Sequence, residues 1–255
     1  MNMLSIDEID PENEGLLKLS FFKGNIVDAA TDAIVLPANT SLREGSGAST
    51  AIFQAAGRRQ LTEACKMIGR CEVGSAAVTP GFNLNADVIV HAVVPKWSDG
   101  EHDEYALLSS AYLSALEIAD AVNCRSIAFP LLASGNNGFD MRVAFWIAMK
   151  SIEAFQPKCL ESVQLILYGN YAASMVKKEG FRCVDLVANE CNRPIRNDSW
   201  KKRGDRAKKI MKDGAGALAD FALDALEAGV EYMKKEENRK KVLEMGLKIA
   251  KIVLG

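Results

Sequence analysis

The chain has 255 residues, 49% of them hydrophobic and 25% charged, with a formal net charge of -2. That is enough apolar material for a sizeable core in one large domain, or in one domain plus an appendage. The charge is too balanced for bulk electrostatics to argue for a nucleic-acid or membrane-surface protein. Six cysteines (Cys65, Cys71, Cys124, Cys159, Cys183 and Cys191) are scattered without metal-type pairing, and His91 and His102 are the only histidines. Reduced thiols and no metal site are therefore expected. Met1 to Glu14 is acidic and has neither the basic start nor the apolar centre of a secretory signal, and no apolar run reaches the ~18 residues of a membrane span. A cytoplasmic location is the expectation.

Taken in order, Leu17 to Phe22 alternates as a first strand and ends in a turn at Lys23-Gly24-Asn25. Ala33-Ile34-Val35-Leu36 is short and continuously apolar, the pattern of a strand buried on both faces, and Pro37 is expected to stop it. Ala48 to Ala56 is good helix material, continued from Arg58 by Leu61, Ala64, Cys65 and Ile68 at helical spacing until Gly69. Ser75 to Thr79 and Asp87 to Val93 are the next two strands, with His91 read as a structural histidine in the second. An amphipathic helix runs from Glu104 to about Asn123 through Leu108, Ala111, Ala115, Ile118 and Val122. Ser126 to Pro130 is a strand, Met141 to Phe155 a helix and Val163 to Tyr168 a strong strand. A helix near Tyr171 to Lys178 and an edge strand at Arg182 to Leu186 follow. Strands alternating with helices predict an α/β fold: a three-layer α/β/α sandwich around a mixed, mostly parallel sheet.

Two connections stand out. After Leu36 the chain reads Pro37-Ala38-Asn39-Thr40-Ser41-Leu42-Arg43-Glu44-Gly45-Ser46-Gly47 and enters a helix. After Pro130 it reads Leu131-Leu132-Ala133-Ser134-Gly135-Asn136-Asn137-Gly138-Phe139 and enters another. A strand, a glycine-containing loop and a helix start together leave backbone N–H groups facing outward, where a diphosphate is easily held. Taken singly, each loop has the plainer reading that its glycines allow a turn.

Composition changes after about Ala188. Arg193 to Lys212 is basic, with Lys201, Lys202, Arg203, Arg206, Lys208 and Lys209 around Trp200. From Ala217 helix formers dominate, with apolar positions such as Leu218, Phe221 and Ala225, then Val242, Met245 and Ile249. This predicts residues 1–188 as the ligand-binding domain, 189–212 as a basic linker and 213–255 as a helical hairpin packing on itself, on the domain or on another copy. The basic stretch reads either as a solvated face or as a contact for nucleic acid or an acidic partner.

Read together, Lys23-Gly24-Asn25-Ile26, Asp32 to Leu42, Gly45-Ser46-Gly47, Ile89 to Val93, and Ile127-Ala128-Phe129-Pro130 leading to Ser134 through Phe139 resemble, in order, the motifs of macro domains, over about Leu17 to Gly180. The resemblance implies a cleft at the C-terminal ends of the strands that binds ADP-ribose or a related nucleotide. It implies no required cofactor. Some members remove ADP-ribose from proteins or deacetylate O-acetyl-ADP-ribose. By position, Asn25 and Ile26 would face adenine, with Asn25 where the family usually has an aspartate. Tyr168 would stack on the base or simply pack at a strand end. Asn39 would bond the distal ribose and be the candidate catalytic residue. Gly45, Ser46, Gly47 and Ala48 would line one side of the diphosphate, with Ser134, Gly135, Asn136, Asn137, Gly138 and Phe139 closing over the other.

This chain departs from the family in ways that bear on chemistry. Gly45-Ser46-Gly47 replaces a glycine triplet, Ser49 stands where many hydrolysing members carry a catalytic aspartate, and Asn137 stands where an aromatic residue commonly covers the ribose. Serine is no carboxylate base near neutral pH. The resulting expectation is an ADP-ribose sensor or reader module. The alternative is a hydrolase in which a phosphate oxygen of the substrate activates water. Partners would be ADP-ribosylated proteins or the small molecule, with a protein partner or self-association through the C-terminal helices.

Overall fold

A computed structural model of the chain describes residues 17–186 and 199–213; the acidic N-terminal stretch, Cys191 and the helical pattern from Ala217 onward lie outside the described residues. Among the described residues seven strands form one sheet: β1 Lys18–Lys23, β2 Ala33–Ala38, β3 Ala76–Pro80, β4 Val88–Val93, β5 Ser126–Pro130, β6 Ser162–Leu167 and β7 Cys183–Asp185. Their order is β3-β4-β2-β5-β6-β1-β7, and every pairing is parallel except β3 with β4. The helices are α1 Ala48–Ala56, α2 Arg58–Ile68, α3 Glu104–Ala121, α4 Met141–Ala154, α5 Gly169–Lys178 and α6 Ser199–Asp213. Among the described residues no helix is long and apolar enough to cross a membrane.

Strands apolar at every position send alternate side chains to opposite faces, so both faces need cover. Ala33 and Val35 of β2 enter a core cluster shared with α3, α4 and α5, while Ile34 and Leu36 enter a second with α1 and α2. The expected three-layer sandwich results. His91 on β4 is fully buried, its Nε2 2.9 Å from Thr79 Oγ1, and burial pushes its pKa down to about 3. It is a neutral core residue.

Three local expectations change. First, β2 runs through Pro37 to Ala38 alongside Ala92 and Val93 of β4. Its pairing with β5 is confined to Ala33 and Ile34, so Pro37 sits where that side of the strand carries no ladder. Second, the helix expected to continue from Ala56 is broken in two at Gly57, whose φ of +98° glycine alone adopts readily. Third, the basic stretch expected as a linker is, from Ser199 on, helix α6, which packs against β3, β4 and α2. It docks by charge: Arg203 Nη1 donates to Asp32 Oδ1 at 2.9 Å and Asp87 Oδ2 at 2.8 Å, and Arg203 Nε to the Asn123 carbonyl at 2.9 Å. An anchor of this kind leaves no apolar stripe for periodicity to detect.

Candidate functional site

The parallel strands bring the C-terminal ends of β2, β4, β5 and β6 to one edge of the sheet, the edge at which ligands bind in open α/β sheets. The loops there enclose a groove of about 560 Å³, lined by Asn39, Gly45, Ser46, Gly47, Ala48, Ser134, Gly135, Asn136, Asn137 and Tyr168 of the expected residues. The two glycine-containing loops meet across it, Asn136 Nδ2 donating to Ser46 Oγ at 2.6 Å.

The loop after β2 is held from within. Asn39 Oδ1 accepts from Ser41 Oγ at 2.8 Å and from the Arg43 N–H at 3.2 Å, and its Nδ2 donates to the Arg43 carbonyl at 2.9 Å. One amide hydrogen of Asn39 stays available. Leu42 takes a φ of +52°, and its side chain is buried in the core beneath the loop. Ser49 is 2% exposed, and its Oγ accepts from the Gly45 N–H at 2.9 Å. It is a loop fastener, not a base. Gly47 takes φ +61° and ψ -124°, and no side chain caps α1. A helix start with neither a side-chain cap nor a carboxylate keeps much of its partial positive charge for a ligand.

The loop after β5 differs. Its floor is fixed by Tyr112, whose hydroxyl accepts from the Leu132 N–H at 2.9 Å. Ser134 Oγ donates to the Leu131 carbonyl at 2.9 Å. Asn137 fastens the loop to the segment after β4: its Nδ2 donates to the Pro95 carbonyl at 2.9 Å, and its own carbonyl accepts from the Trp97 N–H at 2.7 Å. The helix that follows is self-capped, with Asp140 Oδ1 accepting from the N–H groups of Arg142 at 2.9 Å and Val143 at 3.1 Å. The α4 start is therefore closed to an anion, and of the two helix starts expected to hold phosphate only α1 qualifies.

Four expected residues do not line the groove. Asn25 caps the short 3₁₀ turn Ile26–Asp28, accepting from the Val27 N–H at 3.4 Å, and Ile26 is buried in the core. Phe139 is buried edge-on against Trp97, ring centres 5.3 Å apart, and so anchors the loop, while Gly138 turns the chain into it with φ +80°. Tyr168 is the opposite case: it is 83% exposed at the groove, an aromatic ring left in water where a packing role would bury it.

Sequence reasoning missed Lys96, which lines the groove from the loop after β4. The signal was available in principle, because β4 pairs in parallel with β2 and must end at the same edge. Nearby, Asp99, His102 and Glu104 bring potential ligand atoms within 4.8 Å of one another. Glu104, however, already accepts from the N–H groups of Ser98, Asp99, Gly100 and His102. Desolvation works against its charged form, but these hydrogen bonds prevail and hold its pKa at about 2. It is a carboxylate clamp for the 98–102 loop.

Comparison with known proteins adds an independent finding. A family model described as Macro domain matches residues 35–148. The chain is 39% identical over 158 residues to a macro domain-containing protein of Caldanaerobacter subterraneus subsp. tengcongensis, covering 60% of this chain and 90% of that one. It is 42% identical over 142 residues to an O-acetyl-ADP-ribose deacetylase of Escherichia fergusonii, covering 54% and 80%. Among solved structures it resembles the Oceanobacillus iheyensis macrodomain with ADP, with a TM-score of 0.57, 30% identity and coverage of 61% and 86%. It also resembles the Trypanosoma brucei macrodomain in complex with ADP-ribose, with a TM-score of 0.59, 27% identity and coverage of 67% and 72%.

Proposed function

The chain belongs to the macro domain family, and from that premise we propose that its groove binds ADP-ribose or a related ADP-ribosyl metabolite and serves as a sensor or reader of that group. The observation that carries this reading is the closure of the two loops over one groove by Asn136 and Ser46, beside an α1 start that no side chain caps. The diphosphate lies against the N–H groups at Gly47 and Ala48, with Gly135 and Asn136 opposite, so backbone dipoles carry most of the charge complementarity. Tyr168 offers its exposed ring to adenine at the β6 end of the groove. Asn39 and Lys96 flank the other end, where the distal ribose lies and the free amide hydrogen of Asn39 reaches a hydroxyl. Asn25 and Ile26 contribute from behind, by setting the turn after β1.

Calorimetry with ADP-ribose and with AMP tests the reading. Saturable heat is expected for ADP-ribose, with weaker binding of AMP, which lacks the second phosphate and distal ribose. No heat and no thermal shift at high ligand concentration overturns it.

A second reading, hydrolysis, draws support from relatives named O-acetyl-ADP-ribose deacetylase. With Ser49 buried and accepting a backbone hydrogen bond, no side-chain base stands in the aspartate's place. Turnover would rest on a substrate phosphate oxygen taking the proton of the attacking water, with Asn39 positioning the ribose. O-acetyl-ADP-ribose and a mono-ADP-ribosylated protein, each incubated with the enzyme, distinguish the readings. Product release that falls sharply in Asn39→Ala supports hydrolysis, and a rate equal to buffer disposes of it.

A further inference from the structure

The opposite edge of the sheet carries a second groove, of about 830 Å³, between α6, the end of α3 and the segments that enter β5 and β6. Its walls include Arg125, Lys158, Lys202, Arg203, Arg206 and Lys209 against two carboxylates, Glu161 and Asp205. The carboxylates are engaged: Glu161 pairs with Arg125 at 3.0 Å and Asp205 with Lys208 at 3.3 Å. Arg203 is turned inward to Asp32 and Asp87. Among the described residues no carboxylate lies within ion-pair distance of Lys158, Lys202, Arg206 or Lys209, and the three on α6 are exposed. A chain with a formal net charge of -2 thus gathers a local excess of positive charge here.

The arrangement has a direction. At about 100° per residue, Lys202, Arg206 and Lys209 share one face of α6 within an arc of roughly 60°, a row about 10 Å long. Arg203 and Ala207, both buried, lie round the helix from it. The guanidinium anchor therefore fixes how the row is presented, and Lys158 adds a cation from the opposite wall. Among the described residues no aromatic ring lines the groove, and its neutral lining residues are Val122, Asn123 and Cys159. A peptide partner would want apolar pockets for anchor side chains, and base-stacking recognition would want aromatic platforms. Spaced cations on a polar wall suit an extended chain of phosphates, whose repeated negative charges draw on each cation in turn.

We propose that this groove binds the phosphodiester backbone of a nucleic acid, without reading bases, at the edge of the domain remote from the nucleotide groove. The site is independent of the ADP-ribose reading, since it shares no residue with the first groove.

Fluorescence anisotropy of the full chain with a labelled DNA duplex and a labelled single strand of equal length, titrated across salt concentration, tests the proposal. Binding should weaken steeply with salt, with a log–log slope on duplex of about -3.6 if all four free cations engage phosphates, at about -0.9 for each. Lys202→Glu, Arg206→Glu and Lys209→Glu combined should weaken binding at least tenfold and flatten the slope, while calorimetry with ADP-ribose is unchanged. If that variant unseats α6 and loses its fold, Lys158→Glu on the other wall decides, with a several-fold loss expected. The proposal is overturned if the wild-type chain shows no salt-dependent binding to either strand form, or if the variants bind as well as wild type. It is also overturned if polyglutamate of matched charge binds more tightly than either strand form, which would indicate an acidic protein partner.

Discussion

The two edges of the sheet solve the same problem in opposite ways. At the edge where the strands begin, carboxylates take up backbone N–H groups of the incoming segments. Asp120 accepts from the N–H groups of Lys158, Cys159 and Leu160, and Asp32 accepts from the Arg125 N–H as well as from Arg203. At the edge where they end, the close of the loop after β2 and the α1 start, Gly45 to Ser49, are built from glycine, serine and alanine, and no side chain caps the helix. Polar backbone that a protein satisfies internally is structure, whereas polar backbone kept open in a groove is available for a ligand. The contrast holds even within the ligand edge, where Asp140 closes α4 and Gly47 leaves α1 open.

Removing the anchor of the closed edge should have the largest effect. Arg203→Ala removes the cation that Asp32 and Asp87 share and should lower stability by about 3 kcal/mol, the scale expected when a largely buried ion pair is broken. Denaturant unfolding measures this; a midpoint equal to wild type would mean that α6 contributes nothing to the fold. ADP-ribose binding should survive the change.

Next comes a charge placed in the open edge. A Cβ at Gly135 meets nothing within 4 Å, and Gly135 has no positive φ, so Gly135→Glu should leave the melting temperature unaltered. It sets a carboxylate against the diphosphate and should weaken ADP-ribose binding about 100-fold, or about 2.7 kcal/mol. Loss of fold in place of loss of binding would show that the loop is a packing element.

The core between the edges predicts a pH effect. Burial lowers the pKa of His91 from 6.5 to about 3, so between those values the unfolded chain binds a proton that the native chain refuses. Stability should fall as pH drops below 6.5, at up to about 1.4 kcal/mol per pH unit. Glu104, depressed from 4.5 to about 2, adds its own loss only below about pH 4.5. Exposed His102, raised by its hydrogen bond to Asp99, acts with opposite sign near and above pH 6.5. Unfolding at pH 6.5 and 5 isolates the His91 contribution, and His91→Gln should flatten that interval. The smallest effect is expected at the rim: Tyr168→Ala should weaken ADP-ribose and AMP alike by about tenfold, the value of one stacked base. Wild-type affinity in that variant would remove the ring from the site.

Much of this architecture was legible in the residues. Continuous apolar runs such as Ala33 to Leu36 dictate burial on both faces, and the loops around Gly45-Ser46-Gly47 and Gly135 to Gly138 announced themselves by composition. The side chains inside those loops were harder to assign. Asn25 and Phe139 carry the residue types of ligand contacts, and the structure gives each a structural contact as well, one capping a turn and the other packing on Trp97, a ring supplied by the loop after a different strand. Lys96 and Arg203 gave no periodic signal: one lines the groove from the loop after β4, and the other acts through Asp32 and Asp87, which only folding brings near.

The sequence by itself determined the order of elements, the three-layer arrangement and the presence of two glycine-containing loops between strand and helix, because these follow from side-chain pattern and turn chemistry over a few residues. Only the tertiary structure decided that α1 stays uncapped while Asp140 closes α4, that Asn136 meets Ser46, and that a basic helix docks through Arg203 onto Asp32 and Asp87. Apart from the two helix caps, those contacts join residues 90 to 171 positions apart. A hydrogen bond or ion pair at such separation depends on where the whole sheet delivers each loop, which no local pattern encodes.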